Sequence, residues 1–152
     1  RLHSLDQFFE IARESDTAFE YTVAWIDALA TGRKLGRGVF FRGNHATTGS
    51  KRVLPEPEKI DLGCVPPIRM VTRPLVRLFN TLYAMKNGVS AGRVNTHYVP
   101  FFFPLDVVGS WNRLYGTQGM LQYQFVVPSE SALNVVGEFL DRAARSVAPL
   151  GW

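Results

Sequence analysis

Gln122 and Gln124 stand two residues apart in a run, residues 119–127, that alternates as an extended strand does. At that period Met120, Gln122, Gln124 and Val126 share one face, and Leu121, Tyr123, Phe125 and Val127 share the other. A primary amide both donates and accepts, and taking it out of water costs free energy unless those bonds are met. Two amides side by side on an otherwise apolar strand therefore suit either a wetted face or a polar site built on a sheet. Such a site would recognise its ligand through paired hydrogen bonds.

Other reactive types are sparse. His3, His45 and His97 are isolated in the sequence and read as structural or exposed. Cys64 is the one cysteine; it excludes an internal disulfide, has no metal-ligand spacing around it, and reads as a partly buried small hydrophobe rather than a nucleophile. Asp27 and Asp106 fall in turns, where carboxylate oxygens cap backbone N–H groups more often than they act as bases. Neither a catalytic residue nor a metal site is legible.

The elements that must position these groups follow from periodicity. Ser4 caps a helix over 5–14 whose stripe is Leu5, Phe8, Phe9 and Ala12. Strands are expected over 19–26 and 37–42, with Gly32 and Gly36 breaking the chain between them. Periodicity then vanishes from Asn44 to Val71, where Pro55, Pro57, Pro66 and Pro67 mark a long irregular excursion. Pro74 opens a second helix with the stripe Leu75, Leu78, Phe79, Leu82 and Met85, and Gly88 is its stop signal. A third strand over 94–103, a helical turn or loop over 110–115 and a fourth strand over 119–127 come next. Ser129 caps the last helix, whose stripe runs from Ala132 to Val147. The absence of a βαβα rhythm favours an α+β domain: a mostly antiparallel sheet with helices packed on one face.

The 152 residues, with 46% apolar and 20% charged content, fit one globular domain, and no apolar run approaches the ~20 residues that span a bilayer. The net charge of +4 is spread over scattered residues, among them Arg33, Lys34, Arg37, Arg42 and Arg77. A phosphate-bearing substrate or an anionic membrane surface would use that charge equally well, while no motif supports nucleic acid as a partner. The chain is expected to be soluble or peripherally membrane-associated.

Pro104-Leu105-Asp106, Gly109, Trp111-Asn112-Arg113, Tyr115-Gly116 and the glutamine strand together closely resemble the substrate side of FAD-linked oxidases of the vanillyl-alcohol-oxidase superfamily. The branch that oxidises ribose on a polyprenyl phosphate is nearest. Ala24 to Ala28, Lys34 to Arg37, Arg42-Gly43 and Tyr83 to Gly88 follow in the same order as in the family. The resemblance implies a partial substrate-binding (cap) domain over 1–152, an incomplete piece of a longer enzyme. The flavin-binding domain of the same polypeptide would lie outside this chain, and FAD would be bound by the parent rather than by this fragment alone. It implies oxidation of a sugar or polyol hydroxyl, of polyprenyl-phosphate sugar or aldonolactone type, by hydride transfer to the flavin. The family's general base would lie after Trp152.

On the same footing Gln122, Gln124, Trp25, Phe102 and Lys86 become substrate-binding candidates. Gln122 and Gln124 match pocket-lining glutamines. Trp25 matches a pocket tryptophan, or packs a core. Lys86 would meet a phosphate or the flavin side, or simply complement a helix end. Two positions depart from the family: Phe102 replaces a tyrosine and Val23 a small hydroxyl, which puts the particular sugar in doubt. Residues 109–116 would form a loop at the pocket mouth. An exposed strand edge would let the chain pair with a second copy. A non-catalytic α+β binding or interaction module is the alternative.

Overall fold

The computed structural model describes residues 1–46, 60–61, 63–64, 71–89, 92–103, 108–119 and 121–146. The expected excursion therefore lies mostly outside the described residues, as do Asp106, Met120 and Val147. The chain forms two compact units: Arg1–Asn44, Thr72–Ala91 and Tyr123–Trp152 make the first, His45–Val71 and Gly92–Gln122 the second.

In the first unit α1 spans Leu5–Ser15, and its start is set as expected: Ser4 Oγ accepts from Gln7 N at 3.3 Å. Strands β1 (Tyr21–Ile26) and β2 (Gly38–Gly43) pair antiparallel, with Trp25 opposite Val39 and Ile26 opposite Gly38. Leu2 extends this small sheet by exchanging both backbone bonds with Gly38, at 2.8 and 3.1 Å. Position 38 must be glycine, because a Cβ there would lie 1.9 Å from the carbonyl oxygen of Trp25. Gly36 answers a second demand. Its φ of +79° is left-handed, and a Cβ would lie 2.5 Å from Leu5 Cα.

Helix α2 covers Arg73–Val89 and runs one residue past its expected stop. Its face differs from the expected one. Val76 and Asn80 are buried, whereas Leu75, Leu78, Phe79, Leu82 and Met85 are 44 to 59% exposed. The apolar stripe read from the sequence is thus the outer face among the described residues, and a polar residue sits in the core. In the second unit α3 covers Tyr98–Phe102, and the two-residue strands β3 (Ile60–Asp61) and β4 (Val108–Gly109) pair in parallel.

Helix α4, Ala132–Arg145, belongs to the first unit. It begins two residues later than expected: Ser131 occupies the cap position, and its Oγ donates to Pro128 O at 3.2 Å. Its far end is held from α2. The Arg73 guanidinium donates to Ala144 O at 2.7 Å and also to Ser146 O, satisfying carbonyls a helix end leaves open and placing a cation at the negative pole. Leu2, Leu5, Trp25, Val39, Val76, Leu140 and Ala144 form the core of this unit.

The α+β class holds, with helices beside a small antiparallel sheet. Two expected strands do not form. Residues 98–102 are helical because His97 Nδ1 accepts from Val99 N at 3.2 Å and Pro100 sits in the first turn, where its missing N–H is harmless. Residues 121–128 lie outside any ladder, with Leu121 100% and Val126 99% exposed.

Candidate functional site

Trp25 ends the buried run of β1. It is 3% exposed, and its ring lies 4.8 Å from Tyr83 on α2, which in turn stacks on Phe79 at 5.8 Å. Burial raises the Tyr83 phenol above its ordinary pKa. Lys86 is exposed in the last turn of α2, three residues beyond Tyr83. Gln124 belongs to the same unit and is exposed on the unpaired run 121–128. From that run Phe125 packs against Phe139 of α4 at 4.8 Å, the contact expected of its apolar face, while Tyr123 stays 76% exposed.

Phe102 and Gln122 belong to the second unit. Phe102 closes α3 rather than lying in a strand; its ring meets Phe101 edge-on at 4.9 Å, and it is 37% exposed. Gln122 is exposed, and the face it was expected to share with Gln124 is not fixed by any ladder. The five candidates are thus divided: Trp25, Lys86 and Gln124 in one unit, Phe102 and Gln122 in the other. The expected mouth loop is helical, with 3-10 turns over Trp111–Gln118 interrupted at Gly116, where φ is +64°. Within it burial raises the Tyr115 phenol above its ordinary pKa.

The densest polar cluster was not foreseen. Asp27, 3% exposed, accepts four hydrogen bonds: Oδ1 from Leu29 N at 3.0 Å and Asn80 Nδ2 at 2.6 Å, and Oδ2 from Arg37 Nε at 2.8 Å and Nη2 at 2.6 Å. The capping role expected of Asp27 is present in the bond from Leu29. The ties to Arg37 and Asn80 were missed. Asn80 follows Val76 by one turn, so a polar residue in register with a buried one was the available signal. A carboxylate offers about four acceptor sites, and all are taken. Asp27 therefore locks the hairpin to α2.

Cys64, expected partly buried, is exposed, as is Gly63 before it. Among the described residues no group of three or more His, Cys, Asp or Glu could hold a metal ion, and no helix is long and apolar enough to cross a membrane.

A helix start with open N–H groups, and glycine allowing close approach, is one common cradle for the pyrophosphate of FAD. The described helix starts do not fit it. That of α1 is closed by Ser4 and by His3 N donating to Gln7 Oε1 at 2.7 Å, and α3 is closed by His97. Helix α2 opens on Arg73-Pro74, and α4 opens with Ser131 N and Ala132 N already bonded to Pro128 O and Ser129 O.

What the residues resemble, comparison with known proteins bears out: the chain is a relative of an FAD-linked oxidase. One such relative is decaprenylphosphoryl-beta-D-ribose oxidase of Mycolicibacterium smegmatis, 34% identical over an aligned length of 125 residues and covering 77% of this chain. The match covers 27% of that protein, so the chain spans about a quarter of the length of the curated relative it matches. No family model matches the chain, and no solved structure matches it.

Proposed function

We propose that this chain is the substrate-binding, cap-domain part of an FAD-dependent oxidoreductase that oxidises a hydroxyl of a sugar or polyol, with a polyprenyl-phosphate sugar as the first candidate substrate. The observation that carries the reading is the 34% identity to an oxidase named for decaprenylphosphoryl ribose, sustained over 77% of the chain. On this reading the flavin-binding domain lies elsewhere in the same polypeptide, and Gln122, Gln124, Trp25, Phe102 and Lys86 belong to the substrate site.

Their chemistry suits that task. Amides of Gln122 and Gln124 offer paired donors and acceptors to vicinal hydroxyls. Trp25, in the core against Tyr83, backs the site rather than lining it, and Lys86 offers a cation for a phosphate. Phe102 brings ring area without a phenol, so it shapes the pocket and donates nothing.

The test is anaerobic reduction in the complete protein that carries this sequence. Purified holoprotein is mixed with a ribosyl polyprenyl phosphate, and flavin absorbance is followed. Bleaching that slows about tenfold or more in Gln124→Ala supports both the activity and the site. Holoprotein that holds FAD but is bleached by no sugar or polyol overturns the reading.

A further inference from the structure

A cleft of about 180 Å³, lined by none of the five candidates, opens in the first unit among Arg1, His3, Lys34, Arg37 and Thr81, with Leu2, Gly38 and Ala84 also in its lining. Sites that engulf a whole small molecule measure roughly 300–1,000 Å³. This one has room for an ionic group and little more.

Its charge is one-sided. Among the described residues no carboxylate lines it. Among the described residues Arg1 and Lys34 form no ion pair, and Arg37 directs Nε and Nη2 to Asp27, which leaves Nη1 uncommitted. The Arg37–Asp27 pair is neutral as a unit, so the field of the cleft comes from Arg1 and Lys34.

The turn that carries Lys34 and Arg37 is held in place. Lys34 lies in the 3-10 turn Gly32–Lys34, where Leu35 N donates to Gly32 O at 3.0 Å and Arg37 N to Lys34 O at 2.9 Å. The left-handed Gly32 and Gly36 permit that turn, at φ +57° and +79°. Arg37 is fixed by the buried carboxylate beneath it. A ligand meeting these groups need not first order the backbone that carries them.

We infer that this cleft is a binding site for a phosphate group, carried on a lipid headgroup or on a soluble phosphate. A compact tetrahedral anion matches its volume, and guanidinium and ammonium donors match phosphate oxygens. The inference stands on the cleft alone and does not rest on the oxidase reading.

The test uses the whole chain, with inorganic phosphate and vesicles of phosphatidylglycerol in phosphatidylcholine as probes. Amide NMR follows a phosphate titration at constant ionic strength, and co-sedimentation follows the vesicles. Saturable shifts at Leu2, residues 34–38 and Thr81 are expected, weakened about tenfold by Lys34→Glu, about threefold by Lys34→Gln and unaltered by Arg13→Glu. Vesicle binding that phosphate displaces assigns the headgroup, and saturation by phosphate without vesicle binding assigns a soluble ligand. Shifts that do not saturate, that centre elsewhere, or that Arg13→Glu reduces as much as Lys34→Glu would overturn the site. So would the absence of binding to both probes.

Discussion

The β1–β2 hairpin and the run 121–128 carry the same alternation of side chains and end in different states. In the hairpin each residue from Tyr21 to Ile26 faces a partner on β2, and Trp25 and Val39 are both 3% exposed. In 121–128 no ladder forms, and Val126 is 99% exposed. Alternation settles which residues would share a face. It does not supply the second strand whose carbonyls and N–H groups must be met. The hairpin finds that strand twelve residues on, because Gly32 and Gly36 turn the chain back and Gly38 lets the backbones meet. The later run meets α4 through a ring contact, Phe125 on Phe139, and not through a ladder.

The harshest way to break the comparison is Gly38→Ala. A methyl group 1.9 Å from a carbonyl oxygen must push the strands apart, so a loss of about 4 kcal/mol or outright failure to fold is expected in urea titration. A cost below about 1 kcal/mol would mean that the hairpin is no tighter than the unpaired run. Asp27→Ala comes next. It strands the buried amide of Asn80 and the half-buried Arg37, and about 3 kcal/mol should be lost; Asp27→Asn, which keeps an acceptor, should lose less.

The unpaired run should be far more tolerant. Phe125→Ala removes two tilted ring pairs at a partly exposed site and should cost about 1 kcal/mol, and Val126→Ala less than about 0.5. If Val126→Ala costs as much as Val39→Ala in the same denaturation assay, the run has a partner and the contrast fails. The smallest effect is confined to alkaline pH. Burial raises the Tyr83 phenol above its reference of 10.0, so the folded state holds the proton more tightly than the unfolded state. That contribution is complete below pH 10 and is lost as pH rises through the folded value. Stability measured at rising pH should therefore fall above 10, and less steeply in Tyr83→Phe.

Much of the local structure was legible. Ser4 capped α1, Gly32 and Gly36 bent the chain, Pro74 opened α2, and the turn at Asp27 closed on Leu29 N as its residue type suggests. What was not legible depended on partners distant in sequence. Tyr98 to Phe102 are aromatic and strand-like in composition, yet Pro100 within them and His97 before them carry the information for a helical turn, and the aromatics masked it. On α2 the apolar stripe was correct as a pattern and wrong as a core. The buried carboxylate of Asp27 requires a donor, and Asn80 answers it by turning its own face inward. Of the site, residue types and order were readable from a resemblance. The sorting of the five candidates between two units was not, since nothing in spacing reports where a compact unit divides.

The grip of Arg73 on the foot of α4 reaches into the order of events as the chain folds. Its bond to Ala144 joins residues 71 apart in sequence, while β1 and β2 are joined by a short turn. Closing so long a loop is entropically late compared with closing a hairpin. The guanidinium should therefore find its carbonyls only after the rate-limiting barrier has been crossed, and act as a latch on the way out. Stopped-flow measurements on Arg73→Ala should show unfolding accelerated several-fold and the refolding limb unmoved. For α4 the residue then governs how long the helix stays docked and leaves the speed of docking unchanged.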